Sequence, residues 1–178
     1  MHLQREVTVE LAWTNQLSIG NAIIDSDHKN LIAGINGIVH AIKARDRHAM
    51  PQVFEALENW LHIHFENEER IARAVNFDFS GHKQAQRHSL KELQHMRDGL
   101  IAMKGMWPDS ATNHSIGFLK NWIIDGHIVN FGMQMKPALQ AFDYKFWPGW
   151  REGETNNIAG HIASLYLKLF DTPMPCAG

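Results

Sequence analysis

The chain has 178 residues, of which 44% are hydrophobic and 20% are charged, and its formal net charge is −2. This length and composition are typical of one folded domain with a hydrophobic core, and they exclude a disordered chain. The weak net charge gives no electrostatic attraction to nucleic acid or to a membrane surface, so we expect neither partner. The single cysteine, Cys176, excludes a disulfide framework and a cysteine zinc site.

The first six residues lack the apolar core of a signal peptide. The sequence also contains no run of about 18 apolar residues, the length that a membrane-spanning helix needs. With one cysteine in the whole chain, a reducing compartment is expected. These features predict a cytoplasmic protein.

Residues 1–20 are predicted to form an irregular N-terminal arm, and four segments with helical periodicity follow. These segments cover about residues 25–44, 50–75, 82–104 and 109–139. Pro51 suits a first helical turn, while Gly105 and Pro108 end the third segment. Because the connections are short, sequence neighbours should pack antiparallel. The prediction is an all-α fold, an antiparallel up-down four-helix bundle.

Beyond residue 139 the composition changes, first to an aromatic-rich stretch at 142–150 and then to a polar one at 153–157. A short amphipathic helix is predicted over residues 157–170. We therefore divide the chain into a bundle with its arm, residues 1–142, and a C-terminal extension, residues 143–178. The extension is expected to cover the end of the bundle or to form an interface.

Polar side chains occupy positions on the predicted inner stripes where a bundle helix normally has Leu, Ile or Val. His28 follows Ile24 by four residues on the first helix. His64 and Glu68 are four apart on the second helix, so their side chains share one face. His127 lies on the inner stripe of the fourth helix. Histidine or glutamate therefore points inward from at least three different helices.

The third helix offers several histidines, and only one register gives it a continuous apolar stripe. With His88 inward, the charged Lys91 and Glu92 would face the core. With His82 inward, Gln86 follows one turn later and the rest of the stripe is mostly apolar. We therefore predict that His82 and Gln86 face the interior and that His88 is exposed.

This combination predicts a metal site inside the bundle. An ionised carboxylate that is buried without a partner is strongly destabilising unless its pKa shifts until it is neutral, and a bound cation removes that penalty. Facing helices of bundles are a common place for such ions. Imidazole and carboxylate ligands without thiolate suit iron, manganese or zinc. The alternative is a metal-free polar core in which His64 and Glu68 form a hydrogen-bonded pair.

The same residues resemble those of hemerythrins, specifically the bacterial hemerythrin-like domains, or bacteriohemerythrins. The resemblance covers about residues 10–140 and implies a bundle that holds two non-haem irons, with dioxygen bound at one of them. The matching elements are Trp13, Gly20, Ile24-Asp25 and His28-Lys29 around the first helix, His64-Phe65 and Glu68-Glu69 on the second, His82-Lys83 on the third, and Trp122-Ile123 and His127-Ile128 on the fourth.

The resemblance also implies roles for individual residues. His28 and His64 would serve one iron, His82 and His127 would serve the other, and Glu68 would bridge them. The remaining two of the family's seven ligands are replaced in this chain: Gln86 stands at a histidine position and Gly132 at a carboxylate position. These departures imply weaker binding or the loss of one ion, with open positions for water, Gln86 or an exogenous ligand.

The resemblance implies a protein that binds or senses dioxygen, nitric oxide or redox state at a non-haem iron site of one or two ions. No acid–base pair, phosphate loop or nucleophile triad is evident in the sequence, so an enzyme is not expected. Two alternatives stay open. One is a haem-binding sensor, with inward histidines as axial ligands and Gly132 making room for the macrocycle. The other is a metal-free interaction module that binds a protein partner or forms a homo-oligomer.

Overall fold

The computed structural model describes residues 10–141, so the predicted C-terminal helix and the domain boundary after residue 142 lie outside the described residues. The described part is mostly helical, with no strand in that range, which confirms the predicted all-α bundle. Its elements are α1 (Ala22–Lys43), α2 (Met50–Ala74), α3 (Ser80–Ala102), α4 (Asp109–Asn121), a π-helical segment (Trp122–Gly132) and α5 (Met133–Ala141).

The helices pack around one aliphatic core, in which α1 lies most closely against α2, α2 also contacts α3, and α1 also contacts α4 and the π-helical segment. The connections are short, as expected for helices that alternate in direction. α4, the π-helical segment and α5 follow one another without a break and together form the predicted fourth helix. Between residues 10 and 141, no helix has the length and apolar character needed to cross a bilayer.

The described part of the arm before α1, residues 10–21, is irregular, as predicted, apart from a 3-10 turn at Asn15–Leu17. Its last residues are held by hydrogen bonds. The Asp25 carboxylate accepts from the Ser18 hydroxyl at 2.5 Å and from the Ile19 amide at 2.9 Å. The ammonium of Lys136 on α5 donates to the Ser18 carbonyl at 2.7 Å. The arm is thereby attached to both α1 and α5, and Ile19 is completely buried.

The predicted register of the third helix is confirmed. His82 and Gln86 are 4% and 8% exposed, whereas the His88 side chain is 72% exposed. Leu93 and Leu100 continue the buried stripe along α3. This register brings the beginning of α3 against the bundle interior.

The fourth helix departs from the predicted regular α-helix at Trp122–Gly132. Hydrogen bonds in a π-helix join residues i and i+5, so this helix has more residues per turn than an α-helix, and residues five apart lie closer in direction. His127 and Gly132 are five apart and therefore share a face of this segment. In an α-helix, with 3.6 residues per turn, they would not. Hydrophobic spacing averaged over 30 residues does not distinguish the two geometries.

Asn21 caps the start of α1, because its side-chain oxygen accepts from the amides of Ile23 and Ile24 at 3.0 and 3.1 Å. We predict that Asn21→Ala lowers the free energy of unfolding by about 1 kcal/mol, as loss of an N-cap does. Urea unfolding followed by circular dichroism measures this. Asn113→Ala, at an exposed position within α4, is the control and should cause no loss. Equal losses in both variants would contradict the capping role.

Candidate metal centre

Four of the predicted ligands meet in one buried cluster. His28 comes from α1, His64 and Glu68 from α2, and His127 from the π-helical segment, and one ligand atom of each lies within 4.8 Å of the others. The first three residues are 0% exposed and His127 is 3% exposed. The antiparallel order brings them together, because the start of α1 lies beside the end of α2.

Three atoms in this cluster face one another. The Nε2 atoms of His64 and His127 are 2.7 Å apart, and the Glu68 Oε1 lies 3.4 Å from the first and 3.9 Å from the second. Two ring nitrogens face each other at such a distance only when a proton or a cation lies between their lone pairs. Glu68 Oε1 has no hydrogen-bond partner among the described residues. Its contact with His64 is an ionic one, without hydrogen-bond geometry.

His28 has more polar atoms without a hydrogen-bond partner than any other residue of the cluster. It is completely buried, and neither of its ring nitrogens has a hydrogen-bond partner among the described residues. Its ring centroid lies 4.9 Å from that of His64 and 5.7 Å from that of His127. Burial, reinforced by these two histidines, lowers the pKa of His28 well below its usual value. A buried neutral imidazole with a free lone pair is suited to bind a metal ion.

The charges in the cluster are coupled. Burial disfavours the cation of His64, but the Glu68 carboxylate and a side-chain interaction with Asp27 outweigh it and raise the pKa of His64 to about 9. Burial also opposes ionisation of Glu68, yet His64 and His127 hold its pKa well below the usual value. Burial lowers the pKa of His127 to about 4, against the attraction of Glu68. The cluster therefore contains one carboxylate that needs one neighbouring positive charge, from a protonated His64 or from a metal ion.

Gln86 holds the other oxygen of Glu68. Its Nε2 donates to Glu68 Oε2 at 2.8 Å, and both groups are buried. Glu68 Oε1 is thereby left to face the histidines. Gln86, one of the two residues predicted to bind a cofactor, therefore contacts the carboxylate of Glu68 and fixes its orientation.

The structure does not bring His82 together with the other four predicted ligands. Its Nε2 lies 2.9 Å from the carbonyl oxygen of Phe131. Its ring stacks on Phe79 at 5.0 Å and meets the edge of Phe77 at 5.2 Å. The backbone carbonyl thus contacts a ring nitrogen of this imidazole, and the phenyl rings pack against the rest of the ring. The pairing of His82 with His127 that the resemblance implied is not seen, since His127 lies with His28 and His64 instead.

Gly132 lies directly beside the cluster, because the π-helical turn places it on the face of His127. A Cβ atom at this position would lie 3.2 Å from His28 Cε1 and 3.6 Å from Ile19 Cγ2. Glycine therefore allows the His28 ring to pack against the helix backbone. The space beside Gly132 is filled by His28 and Ile19, and it offers no room for a macrocycle.

Asp27, a residue with no predicted role, lies behind His64. Its Oδ2 lies 3.6 Å from His64 Nδ1 and accepts a hydrogen bond from Asn67 Nδ2 at 3.0 Å. A carboxylate behind a histidine ring orients that ring in many metal sites. The sequence itself indicates that Asp27 faces inward, because it lies three residues after Ile24 and four before Leu31, on the inner stripe of α1.

Aromatic rings surround the cluster. Trp13 of the arm lies 6.4 Å from the His28 ring, and Phe65 lies 5.5 Å from the His127 ring. Trp122 stacks on His127 at 6.4 Å with an angle of 18° between the rings. This shell excludes water and so strengthens every charge interaction within the cluster.

Curated relatives of this chain are bacteriohemerythrins. Those of Pseudomonas aeruginosa strain LESB58 and Pseudomonas paraeruginosa strain PA7 are 26% identical over 121 residues, which is 67% of this chain and 75% of each relative. That of Stenotrophomonas maltophilia strain R551-3 is 26% identical over 149 residues, 82% of this chain and 94% of the relative. No family model matches the chain. The predicted resemblance is confirmed, and with the buried histidine–glutamate cluster it supports a hemerythrin-like metal-binding protein.

We predict that Gln86→Leu destabilises the metal-free protein by about 1–3 kcal/mol, because it leaves a buried carboxylate oxygen without its donor. Urea unfolding of protein treated with a chelator measures the loss. Gln84→Leu makes the same substitution at an exposed position of α3 and should have little effect. If the two variants are equally stable, the Gln86–Glu68 hydrogen bond contributes nothing.

Proposed function

We propose that this protein binds one non-haem iron ion within its bundle and takes up or senses dioxygen or nitric oxide there, and that it is a binding protein rather than an enzyme. The observation that carries the proposal is the convergence of His28, His64, Glu68 and His127, all buried, with unpartnered ligand atoms among them. The similarity to proteins named bacteriohemerythrin supports iron as the metal.

The donor set fits this ion. Three imidazoles and one carboxylate without thiolate are ligands that iron accepts, along with manganese and zinc. Glu68 is the one carboxylate of the cluster and so supplies its negative charge. An ion at this position would satisfy one of the free nitrogens of His28 and the free oxygen of Glu68.

The contacts of the other predicted ligands support one bound ion rather than two. His82 is hydrogen-bonded to the backbone of Phe131, and the amide of Gln86 is held by Glu68. Gly132 has no side chain to act as a second bridging carboxylate. The groups that a second ion would need are therefore engaged elsewhere or missing from these positions.

Iron bound in this cluster would bind diatomic gases, for which the side chains alone have no affinity. The chain's own residues orient and enclose the ligand set: Asp27 lies behind His64, and Gln86 holds Glu68. The surrounding rings of Trp13, Phe65 and Trp122 keep water away. This aromatic enclosure suits the binding of a small apolar molecule.

We predict that Glu68→Ala lowers the affinity for iron by more than about 100-fold, since even residues behind the ligands of metal sites contribute 10–100-fold. Helix content should persist because alanine favours helix. Iron quantification with an absorption spectrum measures the first, and circular dichroism the second. The matched control is Glu92→Ala, which removes the carboxylate of the exposed i,i+4 pair His88–Glu92. Unchanged iron content in Glu68→Ala, or a Soret band in the parent protein, would overturn the proposal.

We also predict that His82→Ala leaves the iron stoichiometry of the parent unchanged, whereas His127→Ala abolishes it. The reason is geometric, because His127 belongs to the cluster and His82 binds a backbone carbonyl. Iron per chain, measured after reconstitution and desalting, distinguishes the two. Loss of iron in both variants would instead support the two-iron arrangement that the family resemblance implied.

A further inference from the structure

We infer that diatomic ligands reach the buried cluster through the seam between α3 and α4, and that Trp122 is the last barrier on this route. The inference rests on the proposed function and adds the path by which the site is filled. A path is required because the four clustered residues are at most 3% exposed. Solvent and gas therefore have no direct access to the ligand atoms.

The seam contains two adjoining cavities, with volumes of about 370 Å³ and about 560 Å³. Glu92, His114 and Phe118 line both of them, so the cavities form one groove along the two helices. The first continues along α3 past Met96 and Leu100, and the second continues along the fourth helix to Trp122 and Gly126. Either volume greatly exceeds that of a water molecule, which is similar in size to a diatomic gas.

The groove also has room at its glycines. A Cβ atom added to Gly99 on α3 or to Gly117 on α4 would meet no heavy atom within 4 Å. The side chains between them include Met96 and Phe118, which are apolar. Apart from Glu92, His114 and a few other polar side chains, most of the exposed lining of the groove is apolar, which favours an uncharged diatomic gas over ions.

Trp122 forms the inner end of this groove. It lines the second cavity, is 7% exposed, and stacks on His127. Its indole N–H has no hydrogen-bond acceptor among the described residues, so packing alone holds the ring in place. The ring can therefore move aside without breaking a hydrogen bond, and it stands at the first residue of the π-helical segment that carries His127.

Other sides of the cluster are more firmly closed. The arm crosses between α1 and α5 and is fastened by Asp25 and Lys136. Near the junction of α2 and α3, Phe79 stacks on His82, and Lys83 forms an ion pair with Glu69 at 2.9 Å. α1 and α2 make the most extensive helix contact of the described chain. The α3–α4 seam is thus the least obstructed approach.

Gly117→Phe tests the route, because the ring would fill the groove ten residues from His127. In the iron(II)-loaded full chain, association and dissociation rate constants for nitric oxide, measured by flash photolysis, should both fall about tenfold with an unchanged Kd, since a narrower path affects entry and exit alike. Gly81→Phe, at an exposed glycine of α3 with similar free space, is the control and should leave both rates unchanged. Unaltered rates in Gly117→Phe would overturn the route.

A second measurement needs no metal. Dissolved dioxygen is paramagnetic, so it should broaden the indole N–H resonance of Trp122 in the metal-free protein, and Gly117→Phe should weaken that broadening. An indole signal that dioxygen does not affect in the parent would overturn the route. Broadening of this signal together with an iron-loaded protein that binds no nitric oxide would instead support the route and refute the proposed function.

Discussion

The ionised carboxylate of Glu68, completely buried between the helices, is the constraint on which the site depends. A lone charge in such an interior is strongly unfavourable, and every polar group around it acts to reduce that penalty. Gln86 donates to one oxygen, and the histidines face the other. The register of α3 and the position of His127 therefore have an electrostatic reason as well as a packing one.

The same carboxylate explains why the histidines of this chain differ so much from one another. His64 lies against it and against Asp27, so it favours the charged form, whereas burial keeps His127 and His28 neutral. His82 is instead satisfied by a backbone carbonyl and phenyl rings. Histidines on the inner faces of the helices thus differ in function because their contacts differ. Placement on an inner stripe is a necessary condition for a ligand but not a sufficient one.

Much of the fold followed from periodicity, because burial of one apolar face per helix determines both the bundle and the α3 register with His82 inside and His88 outside. The grouping of His28, His64 and Glu68 followed from the same faces. The partner of His82 could not be predicted in this way, since hydrophobic spacing does not show which carbonyl on another helix a side chain contacts. The role of Asp27 was visible as a buried acidic position, yet its contact with His64 depends on how two helices are rotated against each other.

The π-helical segment has a consequence for how this chain's sequence is compared with others. Because its hydrogen bonds span five residues and its turns are wider than those of an α-helix, positions 127 and 132 lie closer together in direction than they would in a regular α-helix. A one-residue insertion or deletion between them would change which backbone atom supports the His28 ring, even though the helix itself would continue. Alignments that place a gap between these two positions would therefore assign the wrong residue to the position beside His28.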